Sequence, residues 1–234
     1  MIKIKAVLFD LVGTLIYVRD SVGTVYSNVA RGFGFNTDPF KLNQTFQIAL
    51  HIHPPPVGGE IEEKKWWEHV VYETFQRAGY NLTDKFNSIF ESILKEFTRK
   101  NSWAIYSDVI PVLEKLSVQT IDNNSIKIGL ISNFDSRLEI ILKDLDLYKY
   151  FHVLNYSGKT GYSKPHPKIF QTSLDALKIV PEEALYIGDS LDTDYYPANE
   201  LNINALLIDR ESFNKDSRVK SISNLNQIFD FLIS

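Results

Sequence analysis

In several places along the chain an apolar run ends on a side chain able to do chemistry. Asp10 follows "AVLF", Ser132 and Asn133 follow "IGLI", and Asp189 follows "LYIG". If these runs are parallel strands of an open sheet, their C-terminal ends face one crevice, and residues distant in sequence converge there. Lys164, in "YSKPHPKIF", precedes a helix start set by Pro165 and Pro167 and is a candidate for the same place. Asp10, Asp189 and Asp194 together would crowd negative charge, which is costly without a cation, and oxygen donors suit Mg2+. A metal beside Ser132, Lys164 and the amides of the Val12-Gly13-Thr14 turn would receive a tetrahedral dianion such as phosphate. A carboxylate not fully used by the metal could then attack phosphorus and form an aspartyl-phosphate.

The elements that must position these residues alternate. Residues 3–9, 126–132, 184–189 and 203–209 read as buried strands, and 107–119, 135–147, 167–179, 192–201 and 221–233 as helices. That rhythm predicts an α/β fold, a doubly wound parallel sheet covered on both faces with the first strand central. Between about Ser21 and Lys100 the rhythm stops. Helical patterns at roughly 21–34, 40–50, 60–78 and 83–99 are separated by "HIHPPPVGG" and "GYNLTD". The expected organisation is a core domain of residues 1–16 and 103–234 and a helical cap of residues 17–102, with linkers near 16–20 and 100–106.

Each candidate also has a plain structural reading. Ser132 and Asn133 would cap a helix starting near Asp135, and Asp192 and Asp194 would be first-turn acids, the preferred view for Asp192. Lys164 taken alone is a solvated lysine. His51 and His53 are spaced like a metal pair but lack a third ligand nearby, so a loop or substrate-lid role is favoured. His166 reads as a turn residue and Arg19 as a linker residue. Trp66 and Trp67 read as cap core, with one of the two left to line the crevice or the surface.

Composition narrows the classes. The 234 residues carry a formal net charge of -4, are 44% apolar and 23% charged, and give no reason to expect nucleic acid or membrane as a partner. There is no cysteine, which removes disulfides, thiolate nucleophiles and Cys-ligated zinc together. The opening "MIKIKAVLFD" is too short and too charged for a signal or spanning segment, so a cytoplasmic location is expected; a small-molecule phosphorylated substrate and a monomer or homodimer are separate expectations.

These stretches, in this order, resemble the motifs of the haloacid dehalogenase superfamily: "FDLVGTL" the first, "LISN" the second, Lys164 in "SKPHPKIF" the third and "YIGDSLDTD" the fourth. The resemblance spans the sheet domain, and the helical insert resembles a type 1 cap. It implies a mostly phosphatase family that uses Mg2+. Asp10 would be the nucleophile and a metal ligand, with the Val12 carbonyl and Asp189 completing the metal set. Ser132 would bind the transferring phosphoryl with Asn133 beside it, Gly13 and Thr14 would cradle it, and Lys164 would neutralise charge. Asp194 would orient metal-bound water or Lys164.

One position departs from the pattern. Family phosphatases carry a second Asp two residues after the nucleophile as acid and base, and here that residue is Val12. Loss of such help costs roughly 10²–10⁴-fold, which predicts a slow enzyme or one limited to good leaving groups such as acyl and aryl phosphates. Dehalogenases of the family also lack the second Asp, and Arg19 would be their halide or carboxylate ligand. They work without metal and replace the fourth-motif acid, whereas Asp189 is kept here. A branch related to the rhythmically expressed gene product shares the missing Asp, the wording "SNFD.RL" and an aromatic pair like Trp66-Trp67, and is the nearest match. The remaining alternative is a non-catalytic sensor of a phosphate ligand, or a scaffold.

Overall fold

The computed structural model describes residues 3–56, 58–121 and 124–232. Strand β1 (Ala6–Phe9) is buried on both faces, as a central strand must be. Val7 and Phe9 pack into one apolar layer with Val112, Leu116 and Leu138, and Ala6 and Leu8 into the other with Ile169, Phe170 and Ala198. Alternation along a single strand therefore commits the chain to helices on both sides.

β2 (Ile16–Val18) and β3 (Trp103–Ile105) pair antiparallel into a ribbon, with Ile16 opposite Ile105. The expected division of the chain falls within this ribbon. Helices α1 (Val22–Gly32), α2 (Pro39–Ile52), α3 (Glu60–Arg77) and α4 (Phe86–Glu96) lie between its strands. Their starts follow local chemistry: the Ser21 hydroxyl accepts from Thr24 N at 3.0 Å and Asp38 Oδ1 from Phe40 N at 2.9 Å. Tyr26 joins these helices, stacked on Phe75 and edge-on to Phe46 and Phe97.

After the ribbon come α5 (Val109–Val118), a small hairpin of β4 (Thr120–Ile121) and β5 (Asn124–Ser125), and β6 (Lys127–Ser132). Then follow α6 (Arg137–Asp144), β7 (Val153–Tyr156), the one-turn α7 (Ser157–Thr160), α8 (Pro167–Leu177) and β8 (Ala184–Gly188). The chain closes with α9 (Tyr196–Glu200), β9 (Asn204–Ile208), β10 (Ser221–Ile222) and α10 (Phe229–Leu232). The main sheet runs β10-β9-β8-β1-β6-β7, and every pairing in it is parallel. Phe9 is level with Leu130 and with Ile187, so Asp10, Ser132 and Asp189 emerge at one edge of the sheet.

Two expectations need correction. The helix expected over 221–233 starts instead as β10, because Asp209 N donates to Ile222 O and draws the segment beside β9. Only then does a 3₁₀ turn lead into α10, and residue 233 lies outside the described residues. β7 was not expected at all, since "VLNY" carries too short an alternation to stand out. Among the described residues no helix is long and apolar enough to cross a membrane.

Candidate active site

Asp10 leaves β1 with its amide donating to Ile187 O at 2.8 Å, which pins it to β8. The chain then turns at Gly13, where φ is +91°. A Cβ at that position would lie 2.1 Å from Asp189 Oδ2, so turn and carboxylate share the space only with glycine there. Lys164 sits in the loop before α8, and Asn133 clamps that loop. The Asn133 amide donates to Lys164 O at 2.9 Å, and its carbonyl accepts from Lys164 N at 2.6 Å. Asp194 comes from a π-turn, Leu191–Tyr195, a local widening frequent at functional sites. Its Oδ2 accepts from Ser190 N at 3.1 Å.

These elements assemble a buried charge network. Lys164 Nζ donates to Asp10 Oδ1 and to Asp194 Oδ1, each at 2.6 Å, and to the Tyr186 hydroxyl at 3.1 Å. Tyr186 donates to Asp194 Oδ1 at 2.7 Å. Burial opposes the Lys164 charge, but Asp10 and Asp194 together hold the ammonium above the ordinary lysine range. Burial also raises the Asp10 carboxyl to about 6, with Lys164 pulling it down and Asp194 pushing it up. Tyr186 is held well above the usual phenol range by burial and then by Asp194 and Asp10, so it remains a donor.

Asp189 is pushed up to about 8, first by desolvation in the recess and then by Asp10 and Asp194. Its side chain opens to the crevice, where water moderates desolvation, and the like charges are the firmer cause. One carboxylate oxygen from each of Asp10, Asp189 and Asp194 lies within 4.8 Å of the others. Three acids face one ammonium, and all three acids offer hard oxygen donors. The cluster therefore suits a hard divalent cation such as Mg2+.

Asp10, Val12, Ser132, Asn133, Lys164, Asp189 and Asp194 line one cavity of about 300 Å³ beneath the cap. Asp192 is exposed, away from the cluster. The turn at Gly13 sends the Thr14 side chain into the core, where Oγ1 has no partner among the described residues, and its carbonyl accepts from Arg210, so any part Thr14 takes in the cradle falls to its backbone amide. The cradle is also smaller than expected, because the Gly13 amide already donates to Ile16 O at 2.8 Å. Arg19 donates to Asn101 O and Trp103 O and lines a separate recess on the outer side of the ribbon, so it is not part of the crevice.

Trp66 and Trp67 both line the crevice, 4.7 Å apart between ring centroids. Pro55 and Pro56 roof it, and Pro56 O accepts from Ser163 Oγ at 2.7 Å. His53 holds this loop through its carbonyl, which accepts from Trp66 Nε1, while His51 is exposed. His166 caps α8, its Nδ1 accepting from Lys168 N at 3.2 Å.

Two residues went unnoticed in the sequence. Glu63 is buried in α3 and lines the crevice; Ser157 Oγ donates to its Oε1, while Oε2 has no partner among the described residues. Burial raises it to about 7; the Ser157 bond opposes the rise, Asp135 adds to it, Arg137 opposes it and Glu60 adds to it. The signal was helical spacing, since Glu63 precedes Trp66 and Trp67 by three and four residues and shares their face. Arg210 stands behind the Gly13 turn, donating to Thr14 O at 2.7 Å and pairing with Asp108 at 2.9 Å, its guanidinium 3.8 Å from the Tyr106 ring centroid. No sequence pattern marks it.

Fold and site together define a capped α/β hydrolase. The family model for haloacid dehalogenase-like hydrolases matches residues 4–202, and the chain belongs to that family. It is 28% identical over 211 residues to haloacid dehalogenase-like hydrolase domain-containing protein 3 of Xenopus laevis, covering 88% of this chain and 84% of that one. It is 27% identical over 222 residues to the Rhythmically expressed gene 2 protein of Drosophila melanogaster, covering 90% and 85%, in keeping with the branch its motifs resemble. A solved HAD phosphatase from Thermococcus onnurineus superposes with a TM-score of 0.68 over 98% of both chains at 24% identity, a likeness of fold.

Proposed function

We propose that this hydrolase is a magnesium-dependent phosphatase acting on a small phosphorylated metabolite through an aspartyl-phosphate on Asp10. The observation that carries the reading is Lys164 bridging Asp10 and Asp194 at 2.6 Å each, beside a retained Asp189. Asp10, Asp189 and Asp194, with the Val12 carbonyl, would hold Mg2+, which when bound supplies charge neutralisation for a phosphoryl group.

With its carboxyl near 6, Asp10 is ionised at neutral pH and available for attack. Its free oxygen forms a bond to phosphorus as the bond to the leaving oxygen breaks, and water later cleaves the acyl-phosphate. Lys164 stays protonated throughout, fixing the Asp10 carboxylate and balancing the phosphoryl charge. Ser132 ends β6 and lines the same cavity, which supports a role for it in binding a phosphoryl oxygen. Asn133 acts at one remove, since its side chain is spent on holding Lys164. Val12 gives the leaving oxygen no proton.

Purified protein with p-nitrophenyl phosphate and Mg2+ is expected to release p-nitrophenol, and Asp10→Asn to abolish release. Equal turnover by that variant would refute the nucleophile assignment. Halide release from 2-chloropropionate in the presence of a chelator would instead establish a dehalogenase, a reading that the placement of Arg19 disfavours.

A further inference from the structure

A second, larger cavity of about 550 Å³ opens beside the catalytic crevice and runs up into the cap. The two share Val12, Leu50, Trp67, Asn133 and Asp189, so a group attached to a phosphate over Asp10 enters the larger space directly. Its far wall is made by Tyr26, Phe46, Val71 and Phe97, all buried and all members of the main apolar cluster. The volume falls in the ordinary range for small-molecule sites, which are mostly apolar with a few placed polar groups.

Of the polar residues around this cavity, Ser21, Asn43, Asn133 and Arg137 are engaged elsewhere, Gln47 is exposed, and Asp189 belongs to the acid cluster at the junction with the crevice. Ser21 accepts from Thr24 N and Asn43 from Gly23 N. Arg137 is the cation among the lining residues, and it is held by both oxygens of Asp135, with Nε at 2.8 and 3.0 Å and a second nitrogen at 2.6 Å. A sugar or a second carboxylate placed here would exchange water for aromatic faces, which is unfavourable unless each polar group finds a partner.

We propose that this cavity is the leaving-group site and that it takes an uncharged aromatic group, making the substrate an aryl phosphate. The proposal rests on the phosphatase reading and specifies its substrate class. Val12 then has a positive role: it is apolar wall at the junction where related enzymes place an acid. An aryl leaving group does not need that acid. When Asp10 attacks phosphorus and the P–O bond breaks, the electron pair leaves on a phenolic oxygen, whose conjugate acid has a pKa of about 10 as in tyrosine, and the aryloxide takes its proton from water.

The test uses the full chain with Mg2+ and compares kcat/KM for 1-naphthyl phosphate, glycerol phosphate and acetyl phosphate. Naphthyl phosphate is expected to exceed glycerol phosphate by roughly 100-fold, from ring burial and leaving-group quality together. Val22→Trp, which fills the cavity from the start of α1, is expected to raise KM for naphthyl phosphate at least about tenfold more than KM for acetyl phosphate, which has no body to place there. Equal kcat/KM for naphthyl and glycerol phosphates would overturn the substrate class while leaving the phosphatase reading in place. Calorimetry with 1-naphthol probes the cavity without any reaction. Binding that is lost in Val22→Trp supports the site even if no phosphate ester is turned over, an outcome that would overturn the phosphatase reading alone. No naphthol binding to the native chain would overturn the site.

Discussion

The two walls of the crevice are built from opposite materials. On the core side Asp10, Lys164, Asp194 and Tyr186 form a buried network in which each side chain hydrogen-bonds to another member. On the cap side the lining is mainly aromatic and aliphatic, and its buried acid, Glu63, accepts from Ser157 of the core at the seam. The difference separates two jobs. Charges that must hold one geometry sit on the ends of rigid parallel strands, where register fixes them. In the proposed reading, selection of a substrate body is left to helices joined to the core by a short ribbon. Val12 stands on the boundary and belongs chemically to the apolar side.

Disrupting the charged wall should have the largest effect. Lys164→Met leaves Asp10 and Asp194 buried with no cation between them, and loss of one partner from a buried ion pair costs about 3–5 kcal/mol. The expected result is a lower denaturation midpoint and a fall in p-nitrophenyl phosphate turnover by more than ~10³-fold. Turnover within about tenfold of the native rate would show that the lysine is structural only.

Moving the boundary should have the next largest effect. Val12→Asp supplies a proton donor and is expected to raise kcat for glycerol phosphate relative to 1-naphthyl phosphate by roughly 10²-fold. It should also lower stability, since a new carboxylate must be desolvated. Equal changes for both esters would show that leaving-group protonation does not limit this enzyme.

The smallest effect belongs to the seam. Glu63 is raised from 4.5 to about 7 by burial first, so the folded protein holds a proton that the unfolded chain releases. Stability from this group is complete below about 4.5, falls as pH rises through that window, and is level above about 7. Glu63→Gln keeps an acceptor for Ser157 and removes the titration. Between pH 4.5 and pH 8 the variant should gain about 2–3 kcal/mol on the native protein, read by urea unfolding in chelating buffer. Parallel stability curves would show that Glu63 stays ionised in the fold.

Much of the core was legible because it rests on local rules. Unbroken apolar runs such as "AVLF" and "IGLI", helix-period segments between the strands, and Ser or Asp caps each need only a short stretch of chain. Convergence of Asp10, Ser132 and Asp189 followed from one topological rule about strand ends. β7 and β10 were missed because two to four residues carry too little pattern, and their pairing depends on neighbours elsewhere in the chain. The inward direction of the Thr14 side chain was not legible, because the Gly13 turn, with its +91° φ, decides which way the next side chain points.

What the sequence by itself determined is therefore the candidate set: which residue types end the strands, and the valine where an acid is usual. Only the tertiary structure decided how that set is used. Asn133 was turned to Lys164, Arg210 and Asp108 were brought behind the Gly13 turn, Glu63 was buried at the seam, and Val12 was opened to an aromatic cavity. The physical reason is range. Strand and helix signals come from neighbours along the chain, whereas burial, desolvation and cavity shape come from residues dozens to hundreds of positions apart, and no local pattern records them.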